Sequence, residues 1–129
     1  MLKTLRILIV DDQQRARHSL TALLSTRFQL ADTCEAANGM EAVRCVEECK
    51  PDIVLMDARM PEMDGVEATR IIKTKSEQTP VIVLSMYLEY QEAALAAGAD
   101  AFISKGDPPE RLLEVLTKAS SFTERNRKQ

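Results

Sequence analysis

The sequence predicts an α/β fold, a parallel five-stranded sheet covered on both faces by helices. Three observations predict it. Four short runs are continuously apolar: Ile7-Leu8-Ile9-Val10, Ile53-Val54-Leu55-Met56, Val81-Ile82-Val83-Leu84 and Ala101-Phe102-Ile103. Unbroken apolarity at strand length suits strands buried on both faces, as in a parallel sheet lying between helices. Segments of helical period separate the runs, so β and α alternate five times, and that alternation calls for right-handed crossovers. With 129 residues, 45% of them hydrophobic, the chain has material for one domain with one sizeable core. Aromatics make up 4% and Trp is absent, so that core is aliphatic.

Each element has its own signal. The first strand is the run at 7–10. In the helix after it Leu20, Leu23 and Leu24 share one face, with Ala16 and Arg17 a turn earlier. The second strand, 29–35, is of mixed polarity and reads as a sheet edge. A second helix follows Asn38-Gly39 and turns Ala42, Val43 and Val46 to one side. The third strand is the run at 53–56. The third helix carries Val66, Thr69, Ile72 and Lys73 and opens with Asp64-x-x-Glu67, a capping-box pattern in which Asp64 accepts backbone N–H bonds. The fourth strand is the run at 81–84. The fourth helix, about 88–97, is rich in Ala and stops at Gly98, a C-cap residue. The fifth strand is the run at 101–103. The fifth helix follows Pro108-Pro109 and runs through Leu112, Leu113, Val115, Leu116 and Ala119. From 120 to 129 the apolar pattern stops. The expected domain is therefore 5–119, with 120–129 a frayed helix end, a tail or the start of an interdomain linker.

Composition excludes several function classes. The formal net charge is -3 and the isoelectric point about 5.2, against the basic stripe of a nucleic-acid binder. Arg125, Arg127 and Lys128 are too few to carry DNA affinity alone. No segment approaches the roughly 20 apolar residues that span a bilayer, and the start lacks the apolar core of a signal peptide. A soluble, cytoplasmic protein is expected. Cys34, Cys45 and Cys49 form no disulfide framework, and with His18 as the sole imidazole they do not read as a zinc site. They fit a reducing cytosol. His18 itself, on the first helix, reads as a surface residue.

The chemistry gathers where strands end. The first run leads into Asp11-Asp12, the third strand into Asp57, the fourth into Ser85 and the fifth into Ser104-Lys105. In open α/β sheets the ligand site lies outside the carboxyl ends of the strands. Each of these residues has a plainer use: Asp12 and Ser85 as helix N-caps, Asp57 as a turn residue before Pro61 and Gly65, Lys105 as a loop cation. Taken together, the plain uses require five polar groups to share one edge by accident. Three carboxylates a few ångströms apart cannot all ionise cheaply, and a hard dication resolves that conflict. With oxygen ligands alone the ion is Mg²⁺ or a similar one, such as Mn²⁺. A carboxylate beside such an ion can attack a phosphoryl group, while the ion and Lys105 neutralise its oxygens and Ser85 donates a hydrogen bond.

Val10-Asp11-Asp12, Met56-Asp57-Ala58-Arg59-Met60-Pro61-Glu62-Met63-Asp64-Gly65, Ser85 and Lys105 together resemble the receiver domain of bacterial two-component response regulators. Gly98-Ala99-Asp100-Ala101-Phe102 ahead of Ile103-Ser104-Lys105 is also similar to that family. The resemblance implies a flavodoxin-like sheet of order 2-1-3-4-5 with five helices. It implies that Asp57 is the phosphoacceptor and that Asp12, Asp57 and the backbone carbonyl of Arg59 ligate Mg²⁺, with Asp11 holding the ion directly or through water. Lys105 would pair with the phosphoryl group, or with Asp57 when unmodified. Ser85 would move to bond that group, and Phe102 would follow inward as the aromatic switch. The donor would be a sensor histidine kinase or a phosphotransfer protein. The moving surface would be the fourth helix, fifth strand and fifth helix, with Tyr87, Leu88 and Tyr90 at its start. Homodimerisation on phosphorylation is a family expectation.

Lys105 is followed by Gly106, where many receivers carry proline, so a cis X-Pro bond is excluded there and the loop is expected to find its path through the freedom of Gly106. That step resembles the LuxR/NarL-type branch, in which a helix-turn-helix domain usually follows. The expected output is transcription through a DNA-binding domain outside this chain; the alternative is a stand-alone receiver acting as a relay or interaction module. Arg59 and Tyr87, two places after Asp57 and Ser85, are bulky enough to hinder water and predict slow self-dephosphorylation. An aspartyl-phosphate hydrolase needs a second acid two places after its nucleophile, and Arg59 stands there, so an enzyme is not expected. A receiver that signals by contacts alone is the remaining rival.

Overall fold

The computed structural model describes the backbone of residues 3–127. Its strands are β1 (Lys3–Val10), β2 (Phe28–Ala36), β3 (Ile53–Asp57), β4 (Val81–Ser85) and β5 (Ala101–Ser104). Its helices are α1 (Gln14–Leu24), α2 (Gly39–Cys49), α3 (Gly65–Lys75), α4 (Gln91–Ala96) and α5 (Pro109–Arg127), with a 3₁₀ turn, Leu88–Tyr90, leading into α4. The strands form one parallel sheet of order β2-β1-β3-β4-β5. The weakly patterned second strand is the edge expected of it. β3 and β4 are buried along their whole length, which is why their sequences lack alternation.

Side chains of successive strand residues point to opposite faces, and each face builds its own aliphatic core. Leu8, Val10, Val54, Met56, Val81, Val83 and Phe102 pack with residues of α2, α3 and α4. Ile7, Ile9, Ile53, Leu55, Ile82, Leu84 and Ile103 pack with Leu24 of α1 and Leu112, Leu113 and Leu116 of α5. Two helices therefore cover one face and three the other. β1 leads to α1 on the first side, whereas β3 leads to α3 on the second. The chain thus parts between the ends of β1 and β3, and a cleft opens there.

The caps show how the elements are cut. Asn38 accepts the Glu41 N–H at 2.9 Å, and the Glu41 carboxylate reaches back to the Ala37 N–H at 3.2 Å. At α3 the expected reciprocal box is only half made. Asp64 accepts the Glu67 N–H at 2.9 Å, but the Glu67 carboxylate pairs with Arg70 instead. Gly98 has φ +106°, the left-handed conformation that a helix terminator needs. Gly106 is not among the residues of positive φ, which corrects the expectation that its freedom shapes the loop. It supplies an N–H instead, donated to Ser104 Oγ at 3.1 Å, and a proline has none to give. No peptide bond is cis among the described residues. α5 continues past Ala119 to Arg127, so the backbone helix outlasts the apolar pattern. Lys128 and Gln129, at the end of the expected tail, lie outside the described residues, as do the side chains of 122–127. His18 is exposed.

Candidate functional site

The register of the sheet assembles the site. Val10 pairs with Met56, so Asp11 and Asp57, one place further on, emerge side by side. Ser85 ends β4, opposite Ser104 of β5. Asp11, Asp12 and Asp57 each place a carboxylate oxygen within 4.8 Å of the other two. Asp11 is 2% exposed and Asp57 9%, while Asp12 stands in solvent. The three line a cleft of about 680 Å³ together with Arg59, Ser85, Tyr87 and Lys105. The cleft is open on the solvent side.

Lys105 reaches across from the end of β5. Its ammonium lies 3.1 Å from Asp11 Oδ2 and 3.4 Å from Asp57 Oδ1. The expected pairing with Asp57 is present, and the contact with Asp11 is shorter. Burial works against the ammonium's charge, but the carboxylates of Asp57 and Asp11 together outweigh it and raise the Lys105 pKa. Asp57 is pushed above the usual carboxylate range, first by burial and further by Asp11, while Lys105 and the N–H of Arg59 pull the other way. Asp57 thus lacks enough positive charge around it. A donor set of three carboxylates with no imidazole or thiol fits a hard, oxygen-seeking dication, which would make up that shortfall.

Secondary bonds hold the acids in place. The Asp11 N–H donates to the Ala36 carbonyl at 3.1 Å, and Asp11 Oδ1 accepts the Gln13 N–H at 2.9 Å. The Lys105 N–H donates to the Ser85 carbonyl at 2.9 Å, tying β5 to β4 beside the cleft. Ser85 is 1% exposed, and its Oγ accepts the Tyr87 N–H at 2.9 Å. The Arg59 guanidinium lies over the Tyr87 ring, 5.2 Å from its centroid, and Tyr87 meets Tyr90 edge-on. Phe102 is 8% exposed and already lies within the core beneath α4. Asp11, Asp12, Asp57, Arg59, Ser85 and Lys105 all lie at this edge of the sheet, and Phe102 lies three places before Lys105. Sequence reasoning missed Arg17, which binds the Asp11 carbonyl from α1. Its place on a helix gave no sign of that contact.

The family model of the response regulator receiver domain matches residues 7–117. The chain belongs to the response regulator receiver family. It is 38% identical over 119 residues, 91% of the chain, to response regulator protein VraR of Staphylococcus aureus. The match covers 57% of that relative, so the chain spans little more than half the length of the curated proteins it resembles. Among solved structures, a LuxR-family two-component response regulator from an Aurantimonas species superposes with a TM-score of 0.86 at 31% identity, over 92% of this chain and 86% of that one. A LuxR-family DNA-binding response regulator from Staphylococcus aureus gives 0.79 at 28%, over 92% and 99%. A CheY-like receiver from Methanospirillum hungatei gives 0.82 at 29%, over 98% and 99%. The receiver fold and the LuxR/NarL-type branch both stand. The chain is a signalling module, and none of its described helices is long and apolar enough to cross a membrane.

Proposed function

We propose that this receiver accepts a phosphoryl group on Asp57 from a sensor histidine kinase or phosphotransfer protein, and that the transfer requires Mg²⁺ or Mn²⁺. One observation carries the reading: the Asp57 carboxylate sits within 4.8 Å of two further carboxylates and 3.4 Å from an ammonium, at the rim of an open cleft. Asp11, Asp12, Asp57 and the Arg59 carbonyl would hold the ion. Once bound, the dication supplies positive charge that offsets the carboxylates and the phosphoryl oxygens. An Asp57 oxygen attacks phosphorus, the bond from phosphorus to the donor's imidazole nitrogen breaks, and its electron pair leaves with the imidazole. Lys105 stays with the transferred oxygens. Ser85 Oγ, which accepts from Tyr87, still has its own proton to donate to a phosphoryl oxygen.

The output is a change in the surface of α4, β5 and α5. By analogy with its LuxR-family relatives, transcription through a DNA-binding domain is the proposed consequence, with homodimerisation as a route to it. A relay or interaction role without such a domain is the alternative. Incubation with a small-molecule acyl phosphate and Mg²⁺ should add the mass of one phosphoryl group, and Asp57→Asn should add none. No gain from the acyl phosphate, with a histidine kinase also failing, would favour a receiver that signals by contact alone.

The stacking of Arg59 on Tyr87 bears on how long the phosphoryl group lasts. Water must approach phosphorus from the open side of the cleft, and this pair stands there as one unit. Slow self-dephosphorylation is expected, with the double substitution Arg59→Ala, Tyr87→Ala shortening the half-life several-fold. An unchanged decay rate in Mg²⁺ buffer would refute the idea.

A further inference from the structure

We propose that Arg17 is a positioning residue for the acidic site: its guanidinium fixes the Asp11–Asp12 peptide plane and so sets where the Asp12 carboxylate points. The proposal rests on the reading of that site as a Mg²⁺ site. Arg17 Nη1 donates to the Asp11 carbonyl at 2.7 Å, and Arg17 Nε donates to Glu35 Oε1 at 2.8 Å. The Arg17 side chain is 15% exposed and that of Glu35 30%, so neither is a loose surface group. The backbone of Arg17 is held as well, its N–H by the Gln13 carbonyl at 3.2 Å and its carbonyl by the Thr21 hydroxyl at 2.9 Å. The guanidinium therefore joins three elements, α1, the loop after β1 and the end of β2.

The consequence follows from the covalent geometry. The Asp11 carbonyl and the Asp12 N–H belong to one rigid peptide unit. A charge-assisted bond at its oxygen resists rotation of that unit, and the Asp12 side chain departs from the next atom along. Asp11 does not need this help, because Lys105, Gln13 and Ala36 already hold it. Asp12, exposed beyond the edge of the sheet, has the main chain as its guide. Glu35 has two effects, orienting the guanidinium and offsetting its charge. The arrangement separates charge from position, since Arg17 supplies no atom to the carboxylate cluster.

The sign of one measurement decides the matter. If Arg17 acted on the ion only as a like charge, its removal would strengthen Mg²⁺ binding. If it acts by position, removal weakens it. Mg²⁺ affinity of the full 129-residue chain is measured by calorimetry, alongside its melting temperature. Arg17→Ala should bind Mg²⁺ on the order of 10-fold more weakly, the usual scale for groups that orient metal ligands. Arg17→Lys, which keeps the charge, should recover only part of the loss. Lys73→Ala removes an ion pair to Asp100 elsewhere in the fold and should lower the melting temperature without changing the affinity. Equal or tighter binding by Arg17→Ala overturns the proposal, as does equal weakening by Lys73→Ala. If Arg17→Ala does not fold, Arg17→Lys decides, because it keeps the charge: binding weaker than wild type supports positioning, and wild-type binding overturns it. A wild-type chain that binds no Mg²⁺ overturns the reading of the site along with this one, whereas wild-type binding matched by the variants overturns this one alone.

Discussion

Asp57 sits under opposing forces, and the balance gives a sign that solution work can read. Burial holds its pKa above the ordinary value, with Asp11 adding to the effect and Lys105 only partly countering it. A carboxyl that binds its proton more tightly when folded favours the fold fully below its unfolded pKa, roughly 4. That contribution is lost as pH rises through the higher folded value. Without divalent cations, Asp57→Asn should therefore melt level with wild type at pH about 4 and a few degrees above it at neutral pH. Saturating Mg²⁺ should close or reverse the gap. Lys105, whose pKa is also raised, keeps its charge throughout this window and drops out of the comparison. Melts at both pH values, in chelator and in Mg²⁺, make the check, and a difference that ignores pH would sink it. At this scale the sequence was highly legible for groups that end strands. Asp11, Asp12, Asp57, Ser85 and Lys105 have no packing reason to follow such apolar runs. It was mute on Arg17, because an arginine on an amphipathic helix looks the same whether it faces water or a carbonyl.

Two glycines show what pattern reading captures of an element and what it does not. Gly106 was expected to matter for its freedom, yet its backbone is ordinary, and an added Cβ would meet only Ser104 Oγ at 3.5 Å. Gly65 stood in the sequence only as the end of the motif that starts at Asp57, yet α3 begins there against β3, and an added Cβ would lie 1.9 Å from the Asp57 carbonyl oxygen. That contact is with backbone, so α3 or the end of β3 must move. Gly65→Ala should cost about 3 kcal/mol or more and lower the melting temperature by on the order of 10 °C. Phosphoryl acceptance should fall with it, because the displaced strand end carries Asp57. Gly106→Ala should leave both within about 0.5 kcal/mol of wild type. Thermal melts and acyl phosphate labelling of the pair test the contrast. Element types were legible from period and apolarity. The close approach of α3 to β3 was not, since nothing local records how near two distant backbones come. The half-made box at Asp64 is a similar case, with Arg70 one turn along winning Glu67 away.

The molecule is unevenly secured, and the uneven part adjoins the site. α1 and α5 anchor one face through Leu24, Leu112, Leu113 and Leu116. α4 is six residues long and buries only Ala94 within its span, while Met86, Leu88 and Leu95 stand exposed around it. Few apolar contacts make an element cheap to move. The order of the strands was not read from periodicity. It came with the family resemblance, and the sheet order agrees with it. Phe102, proposed to follow inward as the aromatic switch, is already buried here, and the proposed movement is best followed at Ser85 and the segment after it. Ser85 Oγ holds the Tyr87 N–H, and Tyr87 leads directly into the turn before α4. A hydrogen bond from Ser85 to a charged phosphoryl oxygen is worth about 1.5–3 kcal/mol, enough to shift a two-state population by roughly 10- to 150-fold. Full conversion from a rare to a dominant state needs about 10⁴-fold, so Lys105 and the transferred oxygens must supply the rest. Phosphorylated wild type should accordingly show altered amide exchange across residues 86–97. Ser85→Ala should still take up the phosphoryl group but keep only part of that change. Hydrogen exchange by mass spectrometry on the two phosphoproteins reads both outcomes. An equal response in Ser85→Ala would remove Ser85 from the coupling, and no response in wild type would remove α4 from the output surface.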